Sequence, residues 1–496
     1  DNKSFVNVQE SLKKSLAQIN TLLFHNVLII FSLLGNAPIS IDLVKSLLQP
    51  QGFKEVEIEE AISELATLFY GNISRIGNEQ ASFSISQSIQ HQLISIFWEE
   101  HPEKVKELSQ IIAQGLLKIF KENKNDLYHY LNNNPFYETS LKEFLKKVET
   151  LKIPLNSDIV GLRIFQLENL LFFKQDQVEA LKIFNTIYPL LNLIDDTFLK
   201  ALFYSLTGPL NFSHQFEYDI IQNIHNLLNK SSELNSQERL RIYNSLGLIY
   251  LLQADTGKAK EQIHCSLELL KEVQNNLLRI STYYLAARSC NEREEYLQAL
   301  AYLDQAIELE PHLEDKKYIL YVYNLKASVL MSLERYKEAD KLCDKSIQIC
   351  ESYSKPHNQT DSYAEALIYR AKVDLYHRDF NSALEKTEMA LKIYSNFSKE
   401  GHKILEEAYA WSIKGDTHLL KNELTEAQFC YTNSLNIYKD WGEYKSSSKA
   451  KKTYKKLLYI ASTLNNHHLF DSYKSLYNTL FKEGLRESVS LYHQTL

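Results

Sequence analysis

Glycine and proline are scarce in this chain, 13 and 9 among 496 residues, against usual shares of about 7% and 5%. Strands and tight turns are punctuated by these residues, so their scarcity disfavours an all-β chain and leaves long helices as the building element. Cysteine is also sparse: Cys265, Cys290, Cys343, Cys350 and Cys430, none in a C-x-x-C pair. An odd number of scattered thiols in a large chain excludes a disulfide framework and predicts a reducing, cytoplasmic setting, with the cysteines as small packing residues. No hydrophobic run is long enough for a bilayer; the most apolar stretch, Leu22 to Leu34, is short and contains His25 and Asn26. The N-terminus lacks the charged, apolar, small-residue order of a signal peptide. Because it begins at Asp1, the chain is expected to be processed or cut from something longer.

Catalytic patterns are missing too. There is no H-E-x-x-H, no G-x-S-x-G elbow and no cysteine-protease signature among the 496 residues. Fifteen histidines are scattered, and the tandem His467-His468 is read as solvated, because adjacent helical residues point about 100° apart and do not readily share a metal. The acidic pairs Glu294-Glu295 and Glu406-Glu407 are read as solvated charge on helix ends or outer faces. The expectation is a non-enzymatic chain with no cofactor and no metal. A net charge of -7 argues against nonspecific phosphate binding.

What is present is a recurring alanine: Ala259, Ala299, Ala339, Ala383 and Ala427, spaced by 40, 40, 44 and 44 residues. Each has the same surroundings. One copy reads Tyr243, Leu246, Gly247, Tyr250, Ala259, Ile263; the next Tyr283, Ala286, Ala287, Tyr296, Ala299, Leu303, Ala306, Pro311. Later copies read Tyr323, Ala327, Leu330, Tyr336, Ala339, Cys343; then Ala371, Phe380, Ala383, Ala390; then Trp411, Gly415, Leu424, Ala427, Tyr431. Where two antiparallel helices cross closely, a larger side chain would push the backbones apart, so small residues in register predict stacked helix pairs. Tyr296, Tyr336 and Phe380, three residues before their alanines, are expected to plug the gaps between pairs.

These positions resemble the tetratricopeptide repeat, whose signature is W-x2-L-G-x2-Y…A-x3-F…P. The resemblance covers residues 236–440, with units longer than the usual period of about 34 residues. It is similar in this to long-helix members of the family, which hold extended peptides in their groove. Another unit is expected around Ile164, Leu167, Ala180 and Phe184, a degenerate one around Tyr204 to Asn226, and a closing pair at Tyr444 to Leu464 and His468 to Phe481. The change of spacing after Ala339 is read as a longer connection near Lys355-Pro356, dividing the array near Ser354 and Asp361.

In such arrays the first helix of each pair lines a concave groove. The corresponding offsets give Asn244 and Leu248, Tyr284 and Arg288, Asn324 and Ser328, Ile368 and Lys372, Ser412 and Asp416, with Tyr321, Tyr369 and Tyr409 beside them. Asparagine amides both donate to and accept from a peptide backbone. Arg288 and Lys372 are expected to pair with acidic groups of a ligand spanning the two blocks.

The first hundred residues differ in kind. Val27 to Leu34, Ile39 to Leu48 and Glu57 to Phe69 read as helices, and Ile73 to Ile85 as a hairpin around Gly77-Asn78. Three helices and a hairpin predict a winged helix. Its third helix carries Glu57, Glu59, Glu60 and Glu64, with Glu55 ahead, and so much carboxylate would repel a nucleic-acid backbone. The order of winged helix, helical stretch and repeats resembles the arm of STAND-type signalling ATPases with an NB-ARC core. No phosphate loop is found, since Gly257-Lys258 lacks the upstream glycine and is followed by Ala259. Ser86 stands where that family tends to place a nucleotide-touching histidine. No nucleotide contact carries over; the resemblance implies that the nucleotide-binding part precedes Asp1 or has been lost.

The sequence therefore predicts an all-α fold: a right-handed tetratricopeptide-like solenoid of about seven units behind a small winged-helix domain. Boundaries are expected at 1–100 for the winged helix, 101–157 for a helical linker and 158–235 for degenerate units, followed by 236–440 for long-period units and 441–496 for capping helices. The expected role is recognition of a protein or peptide in the groove, without membrane or nucleic acid, as the sensor portion of a STAND-like signalling protein. Two alternatives are a peptide-responsive regulator acting on DNA or a partner, and a secreted bacterial effector that binds a host protein.

Overall fold

In the computed structural model the described residues are 10–17, 21–35, 38–69, 71–76, 80–124, 127–174, 176–208, 210, 217–229, 233–253, 255–313, 316–352, 361–399, 405–440 and 448–481. The chain divides into two compact units, Asp1–Lys200 and Ala201–Leu496. Among the described residues no helix is long and apolar enough to cross a membrane.

The first unit is built on α2 (Leu22–Leu34), preceded by α1 (residues 10–17). From Val27 to Leu34, α2 is buried on every side, which explains why its hydrophobicity has no polar face. It packs against α4 (Glu55–Leu68), α5 (Gln87–Glu100), α6 (Pro102–Glu122) and α8 (Pro135–Thr150). The expected helix from Ile39 is shorter than read: Ile39–Ser40 form strand β1, and α3 runs Ile41–Leu48, capped by the Ser40 hydroxyl. Two residues suffice for β1 because Ile39 pairs with Phe83, the hub of a three-stranded antiparallel sheet ordered β1-β3-β2. The hairpin strands are β2 (Asn72–Ile76) and β3 (Gln80–Ser84); its Gly77-Asn78 turn lies outside the described residues. Phe83 also meets Phe31 edge-on at 4.6 Å, and a Cβ on Gly71 would come within 2.5 Å of the Phe83 ring.

The acidic face of α4 is exposed, and Lys45 of α3 bridges to Glu55 at 2.8 Å and to Glu59. Farther along come α7 (Leu127–Asn133), α9 (Ser157–Glu168) and α10 (Gln177–Ile187). Ile164 and Leu167 on α9 and Ala180 and Phe184 on α10 are buried, so the expected helix pair is present. Next along the chain is α11 (Thr197–Ser205).

The second unit contains α12 (Glu217–Asn229) and then a row of antiparallel pairs. They are α13 (Ser236–Leu252) with α14 (Thr256–Leu269), α15 (Asn276–Glu292) with α16 (Tyr296–Glu308), and α17 (Lys317–Ser332) with α18 (Tyr336–Ser352). Next come α19 (Asp361–Tyr376) with α20 (Phe380–Lys399), α21 (Leu405–Leu420) with α22 (Leu424–Asp440), and α23 (Ser448–Thr463) with α24 (His467–Phe481). The five recurring alanines are fully buried. Their purpose is visible at the neighbouring glycines: a Cβ on Gly247 would meet Ile263 at 2.8 Å, and one on Gly415 would meet the Tyr431 ring at 2.7 Å. The plug role of Tyr336 is explicit, since its ring stacks on Tyr376 of the next pair at 3.7 Å.

The change in spacing has a different origin from the one read in the sequence. Helix α18 has 17 residues where α16 has 13, so the four extra residues form about one more helical turn. Counted from each alanine, helix continues to Glu308 after Ala299 and to Ser352 after Ala339, four residues farther, which matches the rise in spacing from 40 to 44. Lys355-Pro356 itself lies outside the described residues.

Candidate functional site

First helices of successive pairs, α13, α15, α17, α19 and α21, pack on one another, whereas second helices pack chiefly on the first helices on either side of them. Such asymmetry bends a row of pairs toward the first helices and makes theirs the concave face. The side chains on that face are what a ligand would meet.

Tyr284, Arg288, Ser328, Lys372, Tyr409 and Asp416 are half-buried, and Tyr369 is buried with them. Burial pushes the Tyr284 phenol up to about 12 and raises those of Tyr369 and Tyr409. Groups so crowded by protein that still touch solvent line a recess, not an outer surface. The rings of Tyr284 and Tyr321 lie 6.3 Å apart, and those of Tyr369 and Tyr409 lie 6.0 Å apart, giving an aromatic floor across α15, α17, α19 and α21. Tyr369 also hydrogen-bonds Ser328 and donates to Glu365 at 3.4 Å.

The two expected cations differ. Burial works against the charge of Arg288, but Tyr284, Glu406, Glu292 and Glu365 outweigh it and raise its pKa. Arg288 thus sits among carboxylates of its own chain. Lys372 is the opposite case: burial prevails over the attraction of Tyr336 and Asp416 and lowers its pKa.

Four expected groove positions, Asn244, Asn324, Ile368 and Ser412, are buried. Asn244 is buried and ties α13 to α15, donating to Thr282 Oγ1 at 2.9 Å and Ser281 Oγ at 3.3 Å. Asn324 is 1% exposed; it donates to the Ser362 carbonyl at 3.1 Å and accepts from Ser346 at 2.8 Å, holding α17 to α19 and α18. Ile368 is core. Ser412 is buried as well, and Leu248 half-buried. The asparagines are spent on packing because adjacent first helices touch there, and a buried amide left unbonded would be costly. Asp416 accepts from Tyr431 at 2.5 Å and from Lys456 at 2.5 Å.

Several residues of this face were not anticipated. Glu406, read as an outer charge, contributes to the fields at Tyr284 and Arg288, as does Glu365. Lys449 lies over the Tyr409 ring at 4.7 Å, and Lys452 feels Lys372. The signal for the lysines was in the sequence: KAKKTYKK, residues 449–456, holds no acid at all.

The family model described as "Tetratricopeptide repeat" matches residues 320–353, a range that takes in most of α17 and all of α18. No curated protein matches the sequence. Among solved structures, the chain is similar at 12% identity to Rap protein complexed with Competence and Sporulation Factor, over 66% of this chain and 88% of that one, with a TM-score of 0.49. A Signal Transduction ATPase with Numerous Domains from Pyrococcus horikoshii, bearing a tetratricopeptide repeat sensor, aligns at 12% identity over 98% of this chain and 66% of that one, TM-score 0.49. NprR in complex with its cognate peptide NprX aligns at 14% identity over 68% and 98%, TM-score 0.46. Residues 320–353 thus match the tetratricopeptide repeat, within an all-α array of paired helices.

Proposed function

We propose that this chain is a non-enzymatic recognition module that holds an extended peptide, or an extended segment of a protein, on the concave face of its repeats. The observation that carries the reading is the recessed tyrosine floor of Tyr284, Tyr321, Tyr369 and Tyr409, flanked by charged groups of both signs. Tyrosine offers a large, rigid surface with one polar tip, which suits binding at low entropic cost. The part of the first unit in which α2, α3 and α4 precede an antiparallel hairpin is the winged-helix adaptor of this reading, and its acidic α4 favours contact with protein over DNA. Within it we place the chain as the sensor portion of a STAND-like signalling protein working in the cytoplasm.

Selection of random peptides on the whole chain, followed by fluorescence anisotropy on the best binder, tests this. Tyr284→Ala and Tyr409→Ala should each weaken binding by about tenfold, or about 1.4 kcal/mol. Met389→Ala, on the exposed side of a second helix, should leave it unchanged. Selection that returns no binder, or binders indifferent to both tyrosines, would remove the proposal.

A further inference from the structure

We propose that a recess of the first unit, between the end of α8, the first half of α9 and the end of α10, binds a small molecule with an apolar chain and one terminal carboxylate. Its residues belong to the first unit alone, so the inference is independent of the peptide reading.

The walls follow from the local sequence. Helix α8 ends in a turn where Lys152, at φ +53°, lets the Ile153 N–H return to the Val148 carbonyl at 2.9 Å. Asn156 then caps α9 by accepting from the Ile159 N–H at 2.9 Å. Pinned at both ends, this turn forms one wall, the short helical stretch Tyr188–Leu193 forms another, and α9 packs against α8, α10 and that stretch. The cavity they enclose measures about 310 Å³. That is the lower end of the range of about 300–1,000 Å³ for small-molecule sites, which suits a short ligand. Val148, Ile153, Val160 and Ile187 give it a buried apolar lining, which Leu190 and the 38% exposed Leu155 extend toward solvent.

Three charged side chains line the same cavity, Glu149, Lys152 and Arg163. Arg163 is buried, and three of its five N–H donors are engaged, by Gln166 at 2.9 Å, the Leu145 carbonyl at 3.3 Å and Glu149 at 2.5 Å. Its Nε–H has no partner among the described residues and is not sealed from solvent, so it is open to a ligand in the recess. Glu149 has 61% of its side chain exposed and can turn aside into water. Lys152 is exposed and has no salt bridge among the described residues. Two cations and one anion leave the lining with one positive charge, which a monoanion neutralises. Burial lowers the pKa of Arg163 in spite of Glu149, so a further anion beside the guanidinium favours its charged form. A phosphate, with its second charge, would be opposed by Glu149 and by Glu179, whose field also reaches Arg163.

Isothermal titration calorimetry of the full chain with octanoate, octan-1-ol and butanoate tests the site. Octanoate should bind one molecule per chain, about tenfold more tightly than octan-1-ol, which lacks the charge. It should also bind at least about tenfold more tightly than butanoate, since each buried methylene is worth about fourfold. Leu190→Trp, which fills the recess from its apolar side, should cost octanoate at least about tenfold, and Lys152→Glu about fivefold. Lys118→Glu, 78% exposed on α6 and outside the lining, should change affinity by less than about twofold. Arg163→Gln should erase the preference for octanoate over octan-1-ol; should that variant not fold, the narrowing of the preference in Lys152→Glu reads the same interaction. No measurable binding of octanoate, equal affinity for octanoate and octan-1-ol, or binding unmoved by Leu190→Trp would overturn the site. Uptake of several molecules per chain with equal losses in Lys152→Glu and Lys118→Glu would overturn it in favour of surface adsorption. None of these results touches the peptide reading, which stands or falls with Tyr284→Ala and Tyr409→Ala.

Discussion

Ala299 and Gly415 show at single-residue scale why the array is legible in the sequence. Each lies where a first helix crosses a second, and each would have to displace a packed neighbour to grow. Ala299→Leu keeps helix propensity nearly constant while adding volume, so it should cost about 1–3 kcal/mol in urea unfolding. Leu297→Ala, 75% exposed on the same helix, should change stability by less than about 0.5 kcal/mol. A second residue-scale prediction concerns acid. Burial would raise the Asp196 carboxyl, but Lys121 at 2.6 Å and the backbone N–H of Leu199 hold it below its ordinary value. Its folded pKa lies below the unfolded one, so its contribution is complete above the unfolded value of about 3.9 and fades as pH falls through the folded one. Lys121→Met should therefore lower the melting temperature at pH 7, and the gap should narrow at about pH 2. Asn244 and Asn324 mark the limit of offset reasoning: a position one step from the anchor faces the inner side, but only packing shows whether the next helix already covers it.

At the scale of the element, the scarcity of glycine has a consequence in the turns between paired helices. Glu294, Glu334, Arg378 and Asn422 all have φ near +60°, and each stands five residues before a recurring alanine. The following N–H groups return to carbonyls in the last turn of the first helix, Glu295 to Cys290, Arg335 to Leu330, Asp379 to Asp374 and Glu423 to His418, at 2.8–2.9 Å. This is the Schellman closure, in which the left-handed residue is usually glycine. Side chains there cost about 1 kcal/mol or more, part of which glycine returns as lost chain entropy. Glu334→Gly should accordingly stabilise the chain by about 0.5–1 kcal/mol, whereas Glu338→Gly, inside α18, should destabilise it by about 1 kcal/mol; thermal melts of both distinguish the sites. The helix pairs were readable because small residues recur at crossing points. The source of the 44-residue spacing was not, because one added helical turn and one longer loop insert the same number of residues. Strand β1 was hidden for a related reason: Ile39 and Ser40 continue an apolar helical pattern, and only pairing with Phe83 makes them a strand.

At the scale of the whole molecule, function follows from a face and not from a motif. The second unit presents an inner side with an aromatic floor of Tyr284, Tyr321, Tyr369 and Tyr409, and with Arg288 in the field of Glu292, Glu365 and Glu406. Sequence offsets located the tyrosines, Arg288 and Lys372, which the structure brings onto one face. They missed Glu365, Glu406 and the α23 lysines, because side chains far apart in the chain meet only when the row curves. The central claim is that the ligand lies on that inner side. The most direct measurement compares the affinity of a selected peptide for Ser328→Trp, which fills the recess beside Tyr369, and for Met389→Trp on a second helix. The account predicts a loss of at least about tenfold for the first and none for the second; equal affinity for the two variants would contradict it.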